Sequence, residues 1–193
     1  MKGLLWILII TGNVSAQSTT YVEVHRPDAV SSAYEWETAA SRTSDGDWLI
    51  QSPAALLSYF KAGTFKVIWP IYQMAETSVD SLEIVKNEVR FKTRAPVYND
   101  KSSTLRVRLS LPSKHLRLIS PQSIFSPIGK EQFIFSVDES QRIKKKSIFA
   151  LGFQKNKVLV LAEFSTQTKI VSHGLHRLRE SQPVQIINAE AIP

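Results

Sequence analysis

The chain has 193 residues, 43% of them hydrophobic and 21% charged, with no cysteine and a formal net charge of +7. That size suits one globular domain or two very small ones. The missing thiols exclude thiolate zinc sites, cysteine nucleophiles, thiolate-held iron–sulfur clusters and disulfide staples.

The first residues read as a leader. Lys2 precedes the apolar stretch 4–10, and Val14-Ser15-Ala16 supplies compact residues for cleavage before Gln17. This is the pattern of a secretory signal peptide over residues 1–16. No later run approaches the ~20 apolar residues that a membrane helix needs. The only glycosylation sequon, Asn13-Val14-Ser15, falls inside the leader. Export without disulfides or a mature sequon points to a bacterial protein of the periplasm or cell surface. With no cysteine there is no lipobox to carry a lipid anchor.

Along the rest of the chain β patterning dominates. Residues 21–24, 33–38, 48–50 and 64–69 look extended. Ser52-Pro53 followed by Ala, Leu and aromatic residues to Phe60 has the N-cap and first-turn proline of a short helix. Val79, Leu82, Val85 and Val89 recur at helical spacing, although Leu82 and Ile84 also suit a strand. Residues 104–111 alternate strictly, putting Leu105, Val107, Leu109 and Leu111 on one face and Arg106 and Arg108 on the other. Further extended runs follow at 116–119, 132–137, 147–153, 157–164, 169–171 and 183–187, separated by turn-forming residues. Lys144-Lys145-Lys146, after Arg142, has the look of a hairpin turn between two apolar strands. Strands recurring every ~8–12 residues predict an all-β, immunoglobulin-like β-sandwich with one or two short helices. The organisation read is a leader at 1–16, an N-terminal extension at 17–26 and a sandwich domain at 27–193.

Charge divides the chain. Residues 17–100 hold eight Lys/Arg against eleven Asp/Glu, and residues 101–193 hold fifteen against six. A basic sheet face built from Arg106, Arg108, Arg117, Lys144, Lys145 and Lys146 would suit an anionic glycan, lipid phosphate or acidic protein partner. The same asymmetry could join subunits to one another. No established nucleic-acid motif accompanies it, and an exported protein rarely meets that ligand.

Catalytic signals are sparse. His173 and His176 stand three apart, but Arg177 and Arg179 follow and no nearby carboxylate completes a ligand set. His25 and His115 lack diagnostic partners. Asp45-Gly46-Asp47 reads as a turn, not a calcium loop. Glu35 and Glu37 share one strand face, which is ordinary for a solvated face. Neither a nucleophile elbow nor a phosphate-binding Gly-rich loop is present. The expectation is a protein that is not an enzyme and has no cofactor and no metal.

The stretch 33–40 (AYEWETAA), then Trp48-Leu49-Ile50-Gln51-Ser52-Pro53 and the aromatic-ending segment to Gly63, resembles the N-terminal part of common-pilus (Mat-type) fimbrial subunits. Ser103-Thr104-Leu105-Arg106-Val107 is similar to their Ser-Thr-Leu-x-Val strand, and the order of elements is similar to pilins of the alternate chaperone–usher type. The resemblance covers about residues 20–112. The chain departs from it in being more basic, poorer in glycine and without a pilin-like C-terminal strand, which suits a minor, tip or accessory subunit. The resemblance implies an incomplete sandwich whose apolar groove is filled first by a periplasmic chaperone, at an outer-membrane usher, and then by the extension of the next pilus subunit. Residues 17–26 would be that donor strand, with Thr20, Val22 and Val24 on the groove-facing side. An ordinary first strand paired in its own sheet is the other reading of these residues. A monomeric periplasmic binding or assembly module that uses a basic sheet face is the alternative function.

Overall fold

The computed structural model describes residues 19–63, 65–68, 79–93, 104–128 and 131–187. The leader read at 1–16, the first two residues of the extension and Thr64, Trp69 and Ser103 lie outside them. The strands in chain order are β1 (Thr20–His25), β2 (Asp28–Ala29), β3 (Tyr34–Arg42) and β4 (Trp48–Gln51). A 3-10 turn at Ala54–Leu56 runs into the helix α1 (Leu57–Lys61). There follow β5 (Phe65–Ile68), β6 (Val79–Val85), β7 (Glu88–Thr93), β8 (Thr104–Leu111), β9 (Leu116–Ile119) and β10 (Ile124–Phe125). The last six are β11 (Phe133–Val137), β12 (Ile143–Ser147), β13 (Phe149–Gln154), β14 (Lys157–Leu161), β15 (Lys169–Val171) and β16 (Val184–Ile187). The chain is an all-β sandwich with one short helix.

Three sheets form from these strands. The first has the order β5-β8-β3-β4-β7-β6, the second β13-β14-β9-β2, and the third β10-β11-β15-β1-β16 with β12 on the other side of β11. Alternation in the sequence decides what each face does. On β8, Leu105, Val107, Leu109 and Leu111 are buried. They face the first core with Ala40, Ile50, Val89 and Phe91, and α1 seals it with Phe60. Each fully buried side chain of this kind contributes roughly 1.5–3 kcal/mol. On the opposite face Arg108 stands beside Glu37, and Arg106 beside Ala39.

The second sheet is covered on both sides, so its middle strands β14 and β9 carry hydrophobic residues on both faces, with Lys157 and Arg117 the polar exceptions. Leu116, Leu159 and Leu161 join the first core. Ile119, Val158 and Val160 turn the other way and pack with Ile134 and Ile170 of the third sheet. The far face of the third sheet makes another core, in which Val22, Phe135, Val171 and Val184 are joined by Leu175 of the 3-10 turn after Gly174 and by Leu178, which follows that turn.

Two stretches differ from their sequence reading. Residues 79–89 are not a helix: β6 and β7 form a hairpin about Lys86-Asn87, with Lys86 at φ 54°. Pairing of Ile84 with Val89 and of Leu82 with Phe91 overrides the helical spacing, as tertiary context commonly does. The lysine triplet is also no turn, because Lys144–Lys146 lie within β12 and pair with Ile134–Ser136. The hairpin turn is Asp138–Arg142. There the Asp138 carboxylate accepts the Arg142 N–H at 2.9 Å, and Gln141 takes φ 56°. The helix at 54–61 forms as read, but Ser52 does not cap it: the N-cap position is Pro53, without a side-chain cap. The Ser52 N–H instead donates to the Asn87 carbonyl at 2.8 Å.

Candidate functional site

The first strand is held on both edges. β1 runs antiparallel to β15, with Val24 opposite Val171, and parallel to β16, with Val22 opposite Ile186. Within the chain it is thus an interior strand of its own sheet. Val22 is 3% exposed and packs in the core of the third sheet, and Val24 packs partly buried against that core. The Thr20 hydroxyl accepts a 2.8 Å hydrogen bond from the Gln182 amide. The three residues read as groove-filling therefore share the core side, while Tyr21 on the opposite side is 59% exposed. The strand ends at Arg26-Pro27, where proline removes a backbone donor and breaks the ladder before β2.

The far end of β1 carries a polar node. His25 Nδ1 lies 3.5 Å from the Ser123 hydroxyl, and its buried Nε2 has no hydrogen-bond partner among the described residues. Burial, and then the Lys157 ammonium, push the imidazole below its ordinary 6.5, while Asp28 and Glu23 push the other way. Lys157 is paired to Asp28, and His173 Nδ1 lies 3.3 Å from Glu23. Ser123 is fully buried, so the Ser123–His25 pair offers no exposed nucleophile.

The residues read as a basic patch do not come together. Arg106 and Arg108 are on the outer face of the first sheet, where Glu37 lies 2.7 Å from Arg108 and 3.8 Å from Arg106. Glu35 lies 3.1 Å from Arg108. The hydrogen bond that the Arg108 guanidinium donates to the Glu37 carboxylate, at 2.8 Å, raises the Arg108 pKa. Arg117 is in the second sheet, and its guanidinium donates to the carbonyls of Phe164, Lys114 and Leu116. Lys144, Lys145 and Lys146 are on β12 of the third sheet. Of these candidates, the three lysines lie consecutively on one strand, with Lys144 3.8 Å from Asp138. Charge counted along the sequence could not reveal the β3 carboxylates, because their alignment with β8 is a long-range register.

The remaining polar motifs have structural roles. Asp45-Gly46-Asp47 is the β3–β4 turn, closed by the Thr43 N–H on the Asp47 carbonyl at 2.8 Å, with Gly46 at φ 86°. His176 and His173 flank Gly174, and the Arg177 Nε donates to the His176 ring at 3.2 Å. Among the described residues there is no group of three or more His, Cys, Asp or Glu side chains placed to hold a metal ion.

One feature was invisible in the sequence. A cleft of about 1120 Å³ opens between α1 and the β12–β13 segment, with Ala55, Tyr59, His115, Phe149, Glu163 and Phe164 among its lining residues. Tyr59 and His115 meet edge to face at 5.8 Å. Burial, and then Glu163, raise the Tyr59 pKa. No family model matches the sequence, and a search of curated proteins finds no match either.

Proposed function

We propose that the protein is an exported, non-catalytic subunit of a bacterial fimbria or related surface assembly, minor or accessory in position, in which the β1 strand passes from one molecule to the next. The observation that supports this reading is the position of β1 between β15 and β16. It is the first of the described strands, and only Arg26 and Pro27 separate it from β2. Withdrawal of β1 would part β16 from β15 and uncover the Val171 and Val184 side of the core. The same pairing made with a neighbour's strand is a heterologous contact that does not close, and so builds a fibre. In such an assembly a periplasmic chaperone would cover the groove until the next subunit arrives.

In-chain pairing of β1 favours a second reading, a self-contained monomeric module of the periplasm that meets an anionic glycan, lipid or protein. Of its candidate basic residues, only those on β12 are free of the Glu35–Glu37 pairing and the carbonyl contacts of Arg117. Deleting residues 17–26 and measuring assembly size against concentration separates the two. The subunit reading expects the full chain to form concentration-dependent ladders, and the truncated core to remain folded and terminate them. A full chain that stays monomeric at every concentration overturns it and leaves the monomeric module.

A further inference from the structure

We infer that the outer edge of β12 is a docking site for an extended acidic segment of another protein, added as a strand beside Lys144–Lys146. This holds whether or not β1 is exchanged between molecules. Among the described residues β11 is the one strand that pairs with β12. The turn fixes the phase of that ladder: the Asp138 N–H donates to the Arg142 carbonyl at 3.0 Å. Alternation along an antiparallel pair then turns the backbone groups of Lys144 and Lys146 toward β11, and those of Ile143, Lys145 and Ser147 away from it. Ile143 uses its outward pair on the Gln182 carbonyl and the Ser181 N–H, at 3.0 and 2.8 Å. The outward pairs of Lys145 and Ser147 meet no such partner among the described residues.

Charge says what fits there. The Lys145 ammonium lies 4.1 Å from the Phe133 ring centroid, and Lys144 lies 3.8 Å from Asp138. An added strand would bring its side chains within ~5 Å of the lysines of β12. A second copy's β12 would bring three more lysines and be repelled, which is how edge lysines guard against self-pairing. The charges that reject a second copy attract a run of Asp or Glu. Where the edge ends, Lys146 and Ser147 line the cleft, which also holds Glu131 and Glu163. The acidic residues of the occupant therefore belong beside Lys144–Lys146, and apolar ones lie beyond them.

The test uses the full mature chain and a fluorescent ten-residue peptide of alternating Glu and Val. Its comparison probes are the same peptide N-methylated at alternate backbone positions, and a Lys/Val peptide. Binding of the Glu/Val peptide should weaken with salt, and amide exchange at Lys145 and Ser147 should slow in the complex. N-methylation, or the Lys/Val sequence, should abolish binding, and Lys144→Glu with Lys146→Glu should weaken it by about tenfold. The lysine substitutions lie on an exposed edge, and circular dichroism checks that the fold survives. If they unfold the chain, the N-methylated peptide carries the test on the unmodified protein. No binding of the Glu/Val peptide, equal binding of its N-methylated form, or binding only to anionic lipid vesicles or to a second copy overturns the proposal.

Discussion

The Thr20 hydroxyl accepts a 2.8 Å hydrogen bond from the Gln182 side-chain amide, tying the first strand to the approach of the last across 162 residues. The Gln182 side-chain oxygen in turn accepts the Arg179 N–H at 2.9 Å, and its backbone carbonyl accepts the Ile143 N–H at 3.0 Å. One side chain thereby links β1, while its backbone links β12, just ahead of β16. Gln182→Ala should lower stability by about 1 kcal/mol, because one partly buried and one exposed hydrogen bond are lost. Urea denaturation measures this, and an unchanged midpoint would mean that the two bonds carry no stability.

Val22 and its neighbour Tyr21 should behave oppositely. Val22→Ala removes methyl groups from a packed core and should cost about 2 kcal/mol. Tyr21→Ala acts on an exposed position and should change stability by no more than about 0.5 kcal/mol. Equal effects in urea titration would mean that the two faces of β1 are not distinguished.

Where the fold could be read from the sequence, local pattern and tertiary outcome agree. The alternation over Thr104–Leu111 became β8 with the expected buried face, because that strand has one core side and one solvent side. Val158–Leu161 became an interior strand buried on both faces. Lys144–Lys146 misled because hydrophilic runs imply turns only on average: an edge strand needs a ladder on one side alone, and β11 supplies it. The Val79–Val89 spacing fits two periodicities, and cross-strand pairing chose between them. Which side of β1 faces the core was readable from alternation. The dispersal of the arginines was not, since it depends on Glu35 and Glu37 meeting Arg108 across a register of distant strands.

That dispersal predicts unequal behaviour toward polyanions. Arg106→Ala with Arg108→Ala should leave elution from a heparin column nearly unchanged, since Glu35 and Glu37 already offset those charges. Replacing Lys144, Lys145 and Lys146 with Ala should move elution to clearly lower salt. A larger shift from the arginine pair would restore the outer face of the first sheet as the anion-binding surface.

His25 should make the third sheet sensitive to acid. The unfolded chain takes up its proton near 6.5, whereas the native imidazole does so at lower pH, chiefly because of burial and Lys157. Between those values the unfolded state binds more protons, so stability falls as pH drops through 6.5 and levels off below the native pKa. Asp28 and Glu23 oppose the shift and His173 adds to it, so the reading is the difference between the parent chain and His25→Gln. Thermal unfolding between pH 7.5 and 5 should fall more steeply for the parent; parallel curves would contradict the assignment.

The most direct test of the exchangeable first strand is uptake of that strand from solution. A chain lacking residues 17–26 is titrated with the synthetic peptide 17–26 and followed by thermal unfolding and by fluorescence anisotropy of the labelled peptide. The account predicts saturable one-to-one uptake that raises the melting temperature toward that of the full chain, and loss of uptake when the peptide carries Val22→Asp. A truncated chain that takes up no peptide, whether it stays folded or collapses, would contradict it.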